Sequence, residues 1–341
     1  MNADKYQVLS RFQEKVEGNK VRCRICPHNC VIPDGKTGIC RTRINRDGTL
    51  LSLAYGNPCS VSVDPIEKKP LFLFFPGEKI FSLATAGCNF RCLNCQNWQI
   101  SQSAPDEISN YDLSPHELVR QAKLSGTRLI AFTYTEPTVF YEYMYDAALI
   151  ARERGLKTVM ISNGYINSEP LLELIPYLDG ANIDLKCFDN ATYHRLTGGQ
   201  LQPVLDTLKI LRENKVWLEI TNLLIPSFND KSEQIRSMCN WLADNGFTET
   251  PIHFSRFFSN YKLTDTPPTP IEILIEAKNI AEDAGLKFIY IGNTHQPNSE
   301  NTSCPHCKKT IIERMGFSVT ENHVVKGKCR FCGTTIPGVW E

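Results

Sequence analysis

Apolar, partly β-branched runs alternate with amphipathic segments along most of the chain. Seven such runs lie at 79–85, 128–134, 157–162, 181–186, 215–225, 251–257 and 287–292, with helical segments between most of them. Strand–helix alternation predicts a parallel sheet with helical crossovers. About six or seven repeats are too few for an eight-fold barrel. The pattern therefore predicts an α/β fold with a partial (β/α)6 TIM-like barrel.

Helix start signals and one amphipathic stretch add local detail. Residues 5–17 have apolar side chains at helical spacing and predict an amphipathic helix. Ser114, Thr269 and Asp230 each precede a Glu by three residues, which predicts three helix N-caps.

The pattern changes at both ends of the chain, which predicts three regions. Residues 1–75 form a Cys-rich metal-binding region, 76–298 the core barrel, and 299–341 a zinc-ribbon-like C-terminal domain.

Charge and hydropathy exclude several functional classes. The formal net charge of the 341 residues is zero, so nothing directs the protein toward nucleic acid or an anionic membrane. No run reaches the roughly 18 apolar residues of a membrane span. The first residues lack the apolar core of a signal peptide. We therefore expect a cytoplasmic protein that binds neither membrane nor nucleic acid.

Cysteine is abundant and clustered. In a cytoplasmic chain, 14 cysteines indicate metal binding rather than disulfides. Eleven fall into three groups: Cys23, Cys26, Cys30 and Cys40; Cys88, Cys92 and Cys95; and Cys304, Cys307, Cys329 and Cys332.

The central group has the spacing C-x3-C-x2-C directly after the first predicted barrel strand. Three thiolates are one short of the four that close an iron–sulfur cluster. Cys88, Cys92 and Cys95 therefore predict a [4Fe-4S] cluster with one iron open to an outside ligand. A structural zinc site with a fourth ligand from elsewhere is the alternative.

The flanking groups each offer four thiolates. Cys304, Cys307, Cys329 and Cys332 have zinc-ribbon spacing and predict a structural zinc site, with a rubredoxin-like iron site as the alternative. Cys23, Cys26, Cys30 and Cys40 suit either zinc or an auxiliary [4Fe-4S] cluster, and their spacing does not separate the two. Zinc is the preferred interpretation.

Polar residues gather where the predicted strands end, which is where a parallel barrel places its active site. Asp184 and Lys186 point to the same face by strand alternation and need a ligand, a partner or each other. A second charged run, at 64–69, is interpreted either as a solvated turn or as a group that binds substrate or closes the top of the barrel.

With these motifs in register, the chain resembles radical S-adenosylmethionine (SAM) enzymes. It more closely resembles the radical SAM component of the AmmeMemoRadiSam system, a relative of the pyruvate-formate-lyase activating enzymes. The segments that carry this resemblance are 26–30, 64–70, 87–101, 134–137, 255–257, 300–302 and 336–340.

The resemblance implies roles for individual residues. The three central cysteines would ligate three irons, and SAM would chelate the fourth. Glu136 falls where the family has a Gly-Gly-Glu-Pro-like turn that contacts the SAM amino group, but this chain reads Tyr-Thr-Glu-Pro. The remaining implied SAM contacts are Asp184, Lys186, Asn163 and Asn222, with His253 or His295 at the ribose.

The implied function is reductive cleavage of SAM to a 5′-deoxyadenosyl radical that abstracts hydrogen from a substrate the sequence does not identify. A glycyl-radical-enzyme activating enzyme is the second hypothesis, and a non-catalytic multi-zinc scaffold or nucleic-acid-binding protein is the third. The resemblance also implies a reducing partner such as flavodoxin or ferredoxin, and Memo-like and AMMECR-type proteins as functional partners.

Overall fold

The computed structural model describes residues 3–294 and 296–341 of the chain. The N-terminal part contains six short strands: β1 (Val8–Leu9), β2 (Gln13–Val16), β3 (Lys20–Cys23), β4 (Val31–Ile32), β5 (Arg43–Arg46) and β6 (Thr49–Ser52). They form two three-stranded antiparallel sheets, in the orders β1-β6-β5 and β2-β3-β4. The helix predicted over residues 5–17 is wrong: a short 3-10 helix, Ala3–Tyr6, is followed by β1 and β2.

The main sheet has eight strands in sequential order. They are β7 (Ser60–Pro65), β8 (Lys79–Ala84), β9 (Leu129–Phe132), β10 (Lys157–Ser162), β11 (Gly180–Asp184), β12 (Trp217–Leu224), β13 (Ile252–Arg256) and β14 (Ile289–Gly292). β8 to β14 are parallel, and β7 pairs antiparallel with β8. The predicted parallel α/β fold is confirmed, and β7 extends the sheet into the region predicted as N-terminal.

Helices connect the parallel strands. They are α1 (Trp98–Ser101), α2 (Pro115–Leu124), α3 (Tyr141–Glu153), α4 (Ser168–Leu174), α5 (Asn190–Thr197), α6 (Leu201–Glu213), α7 (Ser232–Asp244) and α8 (Ile271–Asp283). Further 3-10 turns lie at Ile66–Lys68, Pro137–Phe140 and Ile175–Tyr177. Within the described ranges, no helix is long and apolar enough to cross a membrane.

The helix caps test the local predictions. Ser114 caps α2 as predicted, since its Oγ accepts a hydrogen bond from the Glu117 amide at 3.3 Å. The other two caps are wrong. Asp230 accepts from the Ser227 amide, and the Thr269 hydroxyl donates to the Leu224 carbonyl, so neither side chain caps α7 or α8.

The C-terminal part consists of short antiparallel strands: β15 (Thr302–Ser303), β16 (Thr310–Met315), β17 (Ser318–Asn322), β18 (Val324–Val325) and β19 (Lys328–Cys329). β15-β16-β17 form one sheet, and β18-β19 form a hairpin. Buried Cys304 and Cys329 pack with Ile311 and Ile336 against Phe72 of the main body.

Residues 66–75, here called the floor segment, run across the N-terminal ends of the parallel strands. Glu219, near the beginning of β12, accepts hydrogen bonds from the backbone amides of Phe72 and Leu73 at 2.9 and 2.8 Å. Val339 forms two backbone hydrogen bonds with Leu73 and Phe75 on the same segment. The floor segment therefore closes the end of the sheet opposite to the predicted active site.

The charged run at 64–69 lies beside this closed end, so it does not close the top of the barrel, and the solvated turn is wrong for three of its four charged residues. Substrate binding by this run stays a prediction. The side chains of Asp64, Glu67 and Lys69 are at most 5% exposed, whereas that of Lys68 is 44% exposed. The Lys69 ammonium contacts Asp64 at 2.6 Å, and Arg314 lies 3.6 Å from Glu67. Asp64 pairs with Ile80 at the beginning of β8, which places the cluster at the bottom of the sheet rather than at the top.

Candidate active site and metal centres

The loop after β8 brings the three central cysteines together. Cys88, Cys92 and Cys95 all line one cavity of about 240 Å³ at the C-terminal ends of the parallel strands. Side chains from the ends of β9 to β13 line the same cavity, so the sheet curves around it. This is the end at which parallel α/β barrels carry their catalytic groups.

Backbone hydrogen bonds hold this loop in place. The Arg91 and Leu93 amides donate to the Thr197 and Leu196 carbonyls at the end of α5, at 2.8 and 3.0 Å. The Gly87 amide donates to the Ile100 carbonyl at 2.9 Å. The loop is thus fixed at both sides of the cysteines.

Gly87 is required by both conformation and space. Its φ of +91° is a value that L side chains rarely adopt, and an added Cβ would lie 2.4 Å from Thr42 Cγ2 and 2.6 Å from the Cys40 carbonyl oxygen. The loop after β8 therefore packs directly on the N-terminal cysteine region.

The surroundings of the three sulfurs suit a metal cluster rather than one ion. The Phe90 amide donates to Cys88 Sγ at 3.3 Å, and Cys95 Sγ lies 3.2 Å from Ser101 Oγ. Burial raises the pKa of Cys92 to about 12, although the Lys186 ammonium opposes this rise. Across residues 3–294 and 296–341, these three sulfurs are not among the groups whose ligand atoms converge within 4.8 Å. A cluster of several irons separates its cysteine ligands more widely than a single ion does, so this donor set fits such a cluster.

Asp184 and Lys186 lie on the cavity wall and contact each other. The Lys186 ammonium is 2.6 Å from Asp184 Oδ2, and both side chains remain partly exposed to the cavity. Burial by itself lowers the pKa of Lys186, but the Asp184 carboxylate and the Cys92 sulfur raise it above its ordinary value. The pair therefore presents a fixed positive and a fixed negative group beside the cysteines.

Glu136 is buried behind the cavity. Its carboxylate accepts four hydrogen bonds, from the amide and hydroxyl of Thr138, the hydroxyl of Ser162 and the amide of Asn163, at 2.7–3.0 Å. These bonds match the number of lone pairs that a carboxylate offers. Glu136 thus ties the end of β9 to the end of β10, and the structure does not bring it to the cavity surface as the resemblance implies.

The other predicted SAM contacts divide. Asn163 lines the cavity, with its amide donating to Asn89 Oδ1 at 2.8 Å. The Asn222 amide instead donates to the Leu185 carbonyl at 2.6 Å, because strand alternation turns it away from the face of Thr221. His253 is the register partner of Thr221, but its imidazole is buried, pairs with Glu219 at 2.7 Å and packs against Phe72 of the floor segment, so it does not line the cavity. His295 lies outside the described residues.

Five further polar residues line the cavity, although sequence reasoning gave them no individual role. They are Gln96, Asn97, Thr135, Thr221 and Ser255. Thr221 is the register partner of Asp184, so the pairing of β11 with β12 identifies it. The position of Asn97 could not be predicted from the sequence, because it depends on a tertiary contact: its side-chain amide donates a 2.7 Å hydrogen bond to the Tyr134 carbonyl.

The C-terminal cysteines converge on a single point. Their four sulfurs lie within 4.8 Å of one another. Cys304 and Cys332 are 3.7 Å apart, and Cys307 and Cys329 are 3.8 Å apart. A metal–sulfur distance of about 2.3 Å places the corners of a tetrahedron about 3.8 Å apart. The arrangement therefore fits one tetrahedral ion.

Comparison with known proteins places the chain in a family. The model of the radical SAM superfamily matches residues 82–240. An uncharacterized protein of Methanocaldococcus jannaschii is 48% identical over 328 residues, which cover 95% of this chain and 97% of that protein. The pyruvate formate-lyase 1-activating enzyme of Escherichia coli K12 is 22% identical over 223 residues, or 60% of this chain and 89% of that enzyme.

Solved structures agree at the level of the fold. Streptococcus suis SuiB bound to S-adenosylmethionine has a TM-score of 0.51 at 16% identity, covering 67% of this chain and 53% of that one. A radical SAM methyltransferase from Sphaerobacter thermophilus has a TM-score of 0.50 at 12% identity, covering 65% of this chain and 68% of that one.

The chain therefore belongs to the radical SAM superfamily, and it is an enzyme. Within that class it is related to the pyruvate-formate-lyase activating enzymes. The non-catalytic scaffold that the sequence left open is thereby excluded.

Proposed function

We propose that the protein reductively cleaves SAM at a [4Fe-4S] cluster held by Cys88, Cys92 and Cys95, and uses the resulting radical on a substrate of its own. The observation that carries this proposal is the convergence of all three thiols and the Asp184–Lys186 pair on one cavity. When bound, such a cluster supplies the electron that divides SAM into methionine and a 5′-deoxyadenosyl radical.

The cavity residues have complementary tasks in this proposal. Lys186 is placed to bind the methionyl carboxylate of SAM, since its ammonium lines the same cavity as Cys92. Asp184 accepts from the amino or ribose groups, and Asn163 holds the wall beside Cys88 through its bond to Asn89. Buried Phe90 excludes water behind the cysteines.

The curved sheet then acts as the partial (β/α)6 barrel of a radical SAM enzyme. Its open end admits SAM and substrate, and its other end is sealed by the floor segment.

Anaerobic reconstitution tests the proposal. The protein with iron, sulfide and dithionite is expected to form 5′-deoxyadenosine from SAM, whereas Cys92→Ala is expected to form none while remaining folded. Cys239→Ala is the matched control, because Cys239 is an isolated buried thiol on α7. Cleavage that survives in Cys92→Ala contradicts the assignment.

A glycyl-radical-enzyme activating function is the second candidate. The similarity to the E. coli activating enzyme favours it. Incubation with SAM and a candidate glycyl partner distinguishes the two: a glycyl-radical signal in electron paramagnetic resonance (EPR) supports activation, and product formation on another substrate without that signal supports the first candidate.

We further propose that the enzyme acts in the AmmeMemoRadiSam system of the cytoplasm, with a flavodoxin- or ferredoxin-like reductant and Memo-like and AMMECR-type partners. The segments that motivate this assignment include residues 64–70 and 336–340, and Val339 of the second segment is hydrogen-bonded to Leu73 and Phe75 of the floor segment. Anaerobic co-purification with each neighbouring gene product tests it, and failure of every such protein to bind or to change the products contradicts it.

The ion proposed for the C-terminal cysteines is structural zinc, because four thiolates at tetrahedral spacing leave no open position. Cys329→Ala is expected to lower both the zinc content and the melting temperature. If both stay unchanged, the zinc assignment is wrong.

A further inference from the structure

The four N-terminal cysteines line one small cavity, and their sulfurs do not converge at a point. Cys23, Cys26, Cys30 and Cys40 all line a cavity of about 20 Å³. This volume is enough for a water molecule. Four sulfurs at about 2.3 Å from one zinc ion leave no such space between them.

The contrast with the C-terminal group is direct. Both groups have four thiols, but in the described part of the chain only the C-terminal sulfurs, Cys304 to Cys332, converge within 4.8 Å. The N-terminal sulfurs are therefore spread more widely than a single tetrahedral ion requires. A four-iron cluster, in which each thiolate binds a different iron, requires this wider spread.

The lining of the cavity suits an anionic cluster. Buried Arg43 lines the cavity and is held by Glu142 at 2.9 Å. A fixed cation stabilises the negative charge of a thiolate-ligated cluster.

This cavity shares a wall with the loop after β8, which carries Cys88, Cys92 and Cys95. Asn89, which directly follows Cys88, lines it, and the Asn89 carbonyl lies 2.8 Å from His28 Nε2. The close approach of Gly87 to the Cys40 carbonyl belongs to the same wall. One layer of backbone therefore separates the two groups of cysteines.

From these observations we propose that Cys23, Cys26, Cys30 and Cys40 bind a second [4Fe-4S] cluster, closed by four thiolates, directly behind the SAM-cleaving site. Each of its irons has a cysteine ligand, so it has no position for SAM. It differs in this respect from the cluster proposed on Cys88, Cys92 and Cys95.

Metal analysis of matched cysteine variants tests this inference. The reconstituted wild-type protein is expected to contain about eight iron and eight sulfide ions and about one zinc ion. The variant in which Cys88, Cys92 and Cys95 are all changed to Ser is expected to keep about four iron ions, with an EPR signal after reduction that SAM does not alter. The Cys26→Ser/Cys30→Ser variant is expected to keep about four iron ions whose signal SAM does alter.

Other outcomes are equally informative. Two zinc ions and no iron in the triple variant overturn the inference. If the double variant fails to fold, the wild-type protein decides alone, since four iron and two zinc ions contradict a second cluster. If the double variant loses its iron and the triple variant keeps the wild-type amount, the second cluster is supported and the cluster proposed on Cys88, Cys92 and Cys95 is overturned. Cys239→Ser controls for the loss of a thiol as such.

Discussion

The two ends of the main sheet treat charged side chains in opposite ways. At the open end, the Asp184 and Lys186 side chains pair but stay 33% and 19% exposed. At the floor, Asp64 and Lys69 are 5% and 2% exposed, and Glu67 and Arg314 are fully buried. The open pair has spare hydrogen-bonding capacity for a ligand, whereas the buried pairs fix the floor segment.

This difference separates function from stability along a single sheet. The charged side chains at the carboxyl ends of the strands, Asp184 and Lys186, face the cavity that the three central cysteines line. At the opposite end, charged side chains bind the backbone of the floor segment: Glu219 accepts from the Leu73 amide, and Arg314 of the C-terminal part donates to the Phe72 carbonyl. Substitutions at the two ends are therefore expected to have different consequences.

Removing one partner of a floor pair should give the largest loss of stability. Asp64→Ala leaves the buried Lys69 ammonium without its carboxylate, which costs about 3–5 kcal/mol of unfolding free energy. Chemical denaturation measures this loss. A change below about 1 kcal/mol would show that the floor contributes little.

Removing the cation at the open end should act on chemistry instead. Lys186→Met is expected to slow SAM cleavage about a hundredfold, or roughly 2.7 kcal/mol, with a smaller change in melting temperature. Rates of 5′-deoxyadenosine formation measure the effect, and Lys186→Arg should restore part of it. Equal rates in the wild type and Lys186→Met would remove the distinction between the two ends.

The buried Asp64 carboxylate at the floor should also make the unfolding free energy depend on pH. Burial alone raises the pKa of Asp64, but hydrogen bonds from Lys69, Tyr134 and Lys68 lower it well below its ordinary value of 3.8. The stabilisation is therefore present above about pH 4 and is lost as the pH falls further. The difference in unfolding free energy between the wild type and Asp64→Asn should shrink from pH 6 to pH 3. Any loss of metal in acid affects both proteins equally and therefore cancels in this difference. A constant difference would contradict the lowered pKa.

An exposed pair at the same lower edge should matter least. Lys157 contacts Asp179 at 2.8 Å, but its side chain is 47% exposed. Lys157→Met is expected to change stability by no more than about 0.5 kcal/mol. A loss comparable to that of Asp64→Ala would mean that burial does not set the strength of these pairs.

Sequence reasoning succeeded where one physical signal dominates. All seven apolar runs became parallel strands, because burial on both faces produces continuous apolar sequence. It failed at residues 5–17, where helical spacing was overridden by antiparallel pairing of β1 with β6 and of β2 with β3.

Position along a strand was the second difficulty. His253 is the second residue of β13 and Asn222 faces away from the cavity, so a rule based on strand ends did not locate either one. The spread of the N-terminal sulfurs was not predictable from spacing, because it depends on how loops fold around them.

The floor has a consequence for how the chain is made. Leu73 and Phe75 leave the ribosome long before Val339, to which both are hydrogen-bonded. A nascent chain that has completed its parallel strands can already lay the floor segment across them, but that segment still lacks its Val339 partner. Covering the floor segment is therefore an assembly step that follows synthesis of the C-terminal part, and a ribosome stalled before residue 339 would hold an intermediate in which the Leu73 and Phe75 backbone groups lack this partner.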